Sequence, residues 1–222
     1  VPIVKFTCAN SGIEVDVCFN NMLAVHNTRL LKTYAALDPR VKRLGLAVKK
    51  WAKRCNVAAT DHGTLSSYTW VMMVVHYLQC GCEPAVLPSL QDPALIGHLE
   101  PTVLDGFDIT FSDDVPAARA LLDAQNGGRA NTRPAAALLA GFFHFYANEH
   151  SVRRDVVCPR LGRAADKFAL WSGRQGLKNR RYLAMLKAEK AASNGRPSDR
   201  YLAAKRRARK GGHKPGEEPY VH

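Results

Sequence analysis

One segment constrains the architecture more than any other. Val71, Met72, Met73, Val74 and Val75 follow one another without a polar break, so a helix over residues 65–79 is apolar nearly all round. Such a helix belongs at the centre of a domain, enclosed by other elements. The chain supplies those elements. Val41, Leu44, Val48, Trp51 and Cys55 recur at helical spacing and predict an amphipathic stripe. Asp38-Pro39 starts that helix, with Asp as N-cap and Pro at the first helical position. Asn20 or Asn21 caps a preceding helix that runs to about Leu37. Residues 115–125 predict a short helix, and Arg133 to Asn148 a further one carrying Leu138, Leu139, Phe142, Phe143, Phe145 and Tyr146. Ahead of all these, 2–7 and 14–19 read as two short strands joined by an Asn-Ser-Gly turn. Alternation puts Val15, Val17 and Phe19 on a packed face and Glu14, Asp16 and Cys18 on the other. The stretch 83–114, rich in Pro and Asp, is expected to be irregular, whereas 179–192 and 198–210 have helical composition.

Composition narrows the class. At 222 residues, 46% hydrophobic and 23% charged, the chain is ordinary globular material with enough length for a real core. No run approaches about 18 uninterrupted apolar residues, which excludes a membrane-spanning helix. The start lacks the basic and apolar regions of a secretory signal, and it has no initiator Met, so the chain is expected to begin inside a larger protein. Residues 1–150 hold 13 Lys+Arg against 13 Asp+Glu, so the whole net charge of +13 falls on 151–222. A neutral body with a basic end fits a polyanionic partner, most often nucleic acid; a solvated tail is the alternative. Cys8, Cys18, Cys55, Cys80, Cys82 and Cys158 form no CxxC pair, which points to buried thiols in a reducing compartment.

Several residues carry candidate chemistry. Lys49 and Lys53 are four apart and share one helix face, where like charges repel unless an anion such as a triphosphate lies between them. A basic solvent face is the alternative, since Lys42, Arg43, Lys50 and Arg54 lie on the same helix. In the run GTLSSY, Ser67 and Tyr68 fall at a helix start, where backbone N–H groups suit a phosphate and an aromatic ring stacks on a base. A capping serine beside a core tyrosine is the competing reading. Asp105, Asp108, Asp113 and Asp114 read as structural, and His26, His76 and His144 have no partner at metal-ligand spacing.

The runs DVCFNNMLAVHNTRLL, AVKKWAKRCNV, GTLSSYTWVMMVVHYLQ, VLDGFDITF and LLAGFFHFYANEH stand in that order over about residues 1–150. Together they resemble the terminal uridylyltransferases and atypical poly(A) polymerases of the DNA polymerase β-like nucleotidyltransferase superfamily. The resemblance implies an α+β fold: the C-terminal strands of a catalytic palm, then a mainly α-helical central domain with a poly(A)-polymerase-associated region. It divides the chain into residues 1–20 of the palm, 21–150 of the helical domain, and a basic insertion, partly helical or disordered, over 151–222. It implies that Asp16 is one of three carboxylates holding two Mg²⁺ or Mn²⁺ ions. Asn27 and Thr28 would face the ribose and base, Lys49, Lys53 and Ser67 the triphosphate, and Tyr68 the base.

The activity implied is template-independent addition of nucleotides to an RNA 3′ end, uridylyl transfer from UTP first and ATP use as the alternative. An inactive RNA-binding module is a further alternative. A small-molecule nucleotidyltransferase would share the palm but need neither the basic tail nor the FFHFY region. The implied protein is a monomer without a membrane partner, inside the cell, in the cytoplasm first and the mitochondrion or nucleus otherwise. Lys205, Arg206, Arg207, Arg209 and Lys210 form a run expected to contact RNA; a nuclear address is the lesser alternative. The family's Gly-Ser turn, its DxD strand pair and its later acidic Pro-Phe motif have no counterpart in these residues. A fragment, inactive alone, is therefore expected, with the choice of base open and a lean to uridylyl transfer from segments 14–28 and 48–78.

Overall fold

The computed structural model describes residues 3–104 and 107–166; the run 205–210 and the stretches 179–192 and 198–210 lie outside the described residues. A hairpin opens the fold. Strands β1 (Ile3–Thr7) and β2 (Glu14–Cys18) pair antiparallel, with Lys5 opposite Asp16 and Phe6 opposite Val15. The alternation along β2 is as expected, Val15 and Val17 half-buried and Glu14, Asp16 and Cys18 exposed. The packed face is thinner than the pattern predicts, because β1 is exposed along its whole length.

Helix α1 (Met22–Leu37) begins at Asn21, whose side chain accepts the Ala24 N–H at 3.2 Å. Asn20 adopts φ 54°, a left-handed conformation that asparagine tolerates, and turns the chain out of the strand. Helix α2 (Pro39–Arg54) starts as its sequence predicts, with the Asp38 carboxylate accepting the Arg40 N–H at 2.8 Å and Pro39 next to it. The Arg40 guanidinium grips the same carboxylate and donates to the Arg133 carbonyl at 2.7 Å, fixing this end of α2 to a distant loop.

The α2 stripe is buried at Val41, Leu44 and Val48, but it continues through Ala52 rather than Trp51 and Cys55, which are exposed. The buried row follows a step of four from Val48, which puts a methyl group at the tight position. Trp51, three residues on, sits at the rim. It meets Trp70 edge-on at 5.3 Å and Phe143 at 4.8 Å.

Helix α3 (Ser67–Cys80) is the enclosed helix, buried at Thr69, Met72 and Val74 through Gln79. It begins later than residue 65 because Ser66 is its N-cap, accepting the Thr69 N–H at 3.0 Å. The stretch 83–114 is less irregular than expected: it holds a single helical turn α4 (Pro93–Ile96) and a small hairpin of β3 (Val103–Leu104) and β4 (Phe107–Asp108). Helix α5 (Val115–Gln125) lies where the sequence puts it, capped by Asp114. The helix expected over 133–148 is shorter. Helix α6 (Ala135–His144) starts after Pro134, since a residue preceding proline is driven out of helical geometry, and it ends in a π-turn, Phe145–Glu149.

Tyr34, Leu44, Val48, Val74, Val75, Leu78, Leu87, Leu90, Leu138 and Phe142 form the core. Residues 151–166 are docked onto it. Ser89 Oγ donates to the Arg160 carbonyl at 2.7 Å, and Gln79 Nε2, on α3, donates to the Pro159 carbonyl at 3.0 Å. All six cysteines are thiols rather than disulfides, but only Cys82 is buried; Cys18 and Cys55 are exposed. Among the described residues no helix is long and apolar enough to cross a membrane.

His76 is a core histidine, 1% exposed. The Tyr146 hydroxyl donates to the Met73 carbonyl at 2.9 Å, so its oxygen accepts from His76 Nδ1 at 3.2 Å. Burial pushes the imidazole down from 6.5 to about 4, with His150 adding to the effect and Asp155 opposing it. The folded chain thus binds fewer protons than the unfolded one between those values. Stability is full above pH 6.5 and falls as the pH drops toward 4, by on the order of 3 kcal/mol from this group. Thermal unfolding from pH 7.5 to 4 is expected to show that slope. His76→Gln, which keeps a hydrogen-bonding side chain but cannot titrate, is expected to flatten it.

Candidate nucleotide site

The residues singled out in the sequence fall on β2, α1, α2 and α3; of these, α1 packs on α2 and α2 on α3. Asp16 lies on the open face of β2 and is exposed, its carboxylate 3.6 Å from Lys5 Nζ across the hairpin. That pair is too solvated to commit the carboxylate, since exposed ion pairs contribute about 0–1 kcal/mol. Asn27 and Thr28 sit a turn and a half into α1, Asn27 half-buried and Thr28 exposed. Thr28 Oγ1 donates its proton to the Ala24 carbonyl at 2.8 Å, so toward a ligand it presents lone pairs.

Lys49 and Lys53 are exposed on α2, and neither takes an acidic partner among the described residues. Helix α3 packs along α2 and presents its N-terminus through Ser66, Ser67 and Tyr68. With Ser66 used as the cap, the Ser67 hydroxyl at the first helical position has no partner among the described residues. Tyr68 is half-buried, and burial raises its phenol to about 12, so it stays protonated at neutral pH. Its ring has no aromatic neighbour among the described residues. The competing reading, a capping serine beside a core tyrosine, holds for the cap, which is Ser66, and only in part for Tyr68, which is half-buried.

The acidic stretch is structural where it is described. Asp108 is bound by Arg160, Asp113 pairs with Arg29 of α1, and Asp114 caps α5. The hydrogen bonds with Arg29 and Arg160 hold the Asp113 and Asp108 carboxyls below their ordinary range, Asp108 against an opposing push from burial. Among the described residues no group of three or more His, Cys, Asp or Glu is placed to hold a metal ion.

Two features of the packing around α3 are not predicted from the sequence. Gln79 is buried in α3, and its amide nitrogen lies 3.1 Å from both the Tyr34 hydroxyl and the Pro88 carbonyl. The Trp51–Trp70–Phe143 cluster braces α2 against α3 and α6. A glutamine inside an otherwise apolar helix is a signal that could have been used, because buried amides are there to be hydrogen-bonded. The aromatic cluster had no local signal.

Comparison with known proteins gives a consistent answer. The family description "Poly(A) RNA polymerase, mitochondrial-like, central palm domain" matches residues 1–36. The chain is 38% identical to terminal uridylyltransferase 4 of Homo sapiens over 76% of its own length and 10% of that protein. It is 39% identical to terminal uridylyltransferase cid1 of Schizosaccharomyces pombe over 71% of its length and 37% of that protein. With the poly(A) RNA polymerase GLD2 of Danio rerio it shares 38% identity over 75% of its length and 32% of the relative. The solved structure of Cid1 with the UTP analog UMPNPP superimposes with a TM-score of 0.61 at 37% identity, covering 78% of this chain and 53% of that one. The chain thus spans between a tenth and about two fifths of the length of these curated relatives. Over the residues it holds, the chain belongs to the family of terminal uridylyltransferases and atypical poly(A) RNA polymerases.

Proposed function

We propose that this chain forms part of an enzyme that adds ribonucleotides to an RNA 3′ end without a template, with UTP as its first substrate. The observation that carries the reading is the lysine pair of α2, unneutralised by any described acid, on a helix packed against the α3 N-terminus with its unpartnered Ser67 hydroxyl. In this reading Lys49 and Lys53 hold the outer phosphates, and Ser67 with the first α3 N–H groups takes a further phosphate oxygen. Tyr68 stacks on the base. Asn27 offers an amide and Thr28 an acceptor to the ribose and base edges, a match to a 2′-hydroxyl donor.

A metal fits the arrangement in one way. Mg²⁺ binds through one or two carboxylates plus substrate phosphates, so Asp16 can hold an ion that arrives on the triphosphate, whereas the described residues build no resident centre. When bound, Mg²⁺ or Mn²⁺ neutralises charge at the transferring phosphate. Residues 1–20 then end the palm, 21–150 form the helical domain that closes over the nucleotide, and 151–222 form a basic insertion. The working protein is proposed to be a monomer of the cytoplasm.

ATP is the second reading, favoured by the GLD2 relative at the same 38% identity as the uridylyltransferase. Extension of a labelled RNA by the full-length gene product, with each of the four nucleotides supplied separately, decides. Extension with UTP upholds the first reading and with ATP alone the second. RNA binding without extension by any nucleotide replaces both with an inactive binding module. Tyr68→Ala is expected to raise KM for the nucleotide roughly tenfold with kcat changed little, since stacking contributes about 1–3 kcal/mol per base. Steady-state kinetics on RNA extension check this.

A further inference from the structure

Helix α2 carries seven cations, Arg40, Lys42, Arg43, Lys49, Lys50, Lys53 and Arg54, and no acid. Only Arg40 has an ionic partner among the described residues, Asp38. An ordinary solvent face intersperses the two signs, because opposite charges three or four residues apart attract and like charges at that spacing repel. Here Lys49/Lys53 and Lys50/Arg54 repel at that spacing, and Lys42 and Arg43 lie near the positive end of the helix dipole.

The cations are also ordered. Val41, Leu44, Gly45, Val48 and Ala52 turn into the core. Arg43, Lys50 and Arg54, at steps of seven and four, form a straight row on the side facing away from it, and all three are exposed. The row is about 16 Å long at 1.5 Å per residue. Leu46, on the edge toward Lys53, is also exposed, 59% accessible. The nucleotide pair Lys49 and Lys53 lies on the neighbouring edge of the same helix.

We infer that the Arg43–Lys50–Arg54 row is a track for the phosphodiester backbone of single-stranded RNA, separate from the lysines that hold the nucleotide. The inference rests on the proposed RNA-directed function. It adds the surface along which the chain being extended lies. A row of fixed cations without neutralising acids is what a polyphosphate backbone complements, since each phosphate it neutralises releases condensed counterions. Because the contacts are to phosphates, the track reads no sequence.

The test measures binding of a 15-nucleotide RNA by the full-length gene product across a salt series, in parallel with UTP binding. The triple variant Arg43→Gln, Lys50→Gln, Arg54→Gln is compared with a control that loses three exposed cations elsewhere in the neutral body, Lys32→Gln, Arg119→Gln and Arg129→Gln. The track predicts that the slope of log K against log salt becomes shallower by about 2 in the first variant, at about 0.7 per single-strand phosphate contact. RNA affinity at low salt falls at least tenfold, UTP affinity stays within twofold, and the control changes the slope by less than half as much. An unchanged slope, or an equal change in the control, overturns the track while UTP binding keeps the nucleotide site standing. A wild-type chain that binds neither RNA nor UTP overturns both the track and the function it rests on. Displacement of the RNA by poly-L-glutamate at equal charge would assign the row to an acidic peptide instead and overturn it.

Discussion

Asp16→Ala in the full-length gene product is expected to abolish RNA extension, lowering kcat about a thousandfold or more, with RNA binding largely intact. The effect is large because a metal ion held at the reacting phosphate contributes several kcal/mol of transition-state stabilisation, and each 1.36 kcal/mol is about tenfold in rate. Binding survives because the strand is separate from the basic row of α2. Folding survives too: the only described partner of Asp16 is Lys5, at 3.6 Å on an exposed hairpin. The melting temperature should therefore move by no more than about 2 °C. Single-turnover extension beside a thermal melt separates these statements. An extending Asp16→Ala enzyme would remove the carboxylate from the catalytic set and leave it as a cross-strand ion pair.

Phe142→Ala is expected to have the largest effect on the fold. Its ring is 1% exposed and meets Tyr77 at 6.0 Å, Phe143 at 5.2 Å and Tyr146 at 5.1 Å. It is the point where α6 and the π-turn grip α3, the helix whose N-terminus carries Ser67 and Tyr68. Truncating a buried phenylalanine costs about 3–5 kcal/mol through lost burial and an incompletely filled cavity. Domains hold only about 5–15 kcal/mol in total, so a fall in melting temperature of about 10 °C or more is expected. Leu46→Ser, on the outward face of α2, is the matched control and should shift it by no more than about 2 °C. Equal melts for the two variants would show that α6 does not brace α3.

Much of this fold is legible from local chemistry. Asp38-Pro39 and Asp114 mark helix starts because a short acidic side chain satisfies free N–H groups wherever it stands before a helix, and both do so here. The enclosed helix α3 follows from an apolar run that no surface accommodates. The lysine pair is visible because four-residue spacing is intrinsic to the helix. Other features were not legible. Whether the stripe of α2 continued through Trp51 or Ala52 depended on how closely α3 approaches, a property of the neighbouring helix. The bond from Gln79 to the Pro159 carbonyl joins positions 80 residues apart. The Arg29–Asp113 pair likewise could be assigned only once α1 and α5 lay side by side.

By itself the sequence determined the helices, their caps, the hairpin with Asp16 on its open face and the order of motifs that identifies the family. Each of these depends on residues within a few positions of one another, where backbone geometry sets the distances. The tertiary structure alone decided which cations stay unpaired, whether the Ser67 hydroxyl meets a partner, and which histidine is kept neutral. Those are questions of what lies across a few ångströms of space from another part of the chain, and burial and charge there are set by packing between elements.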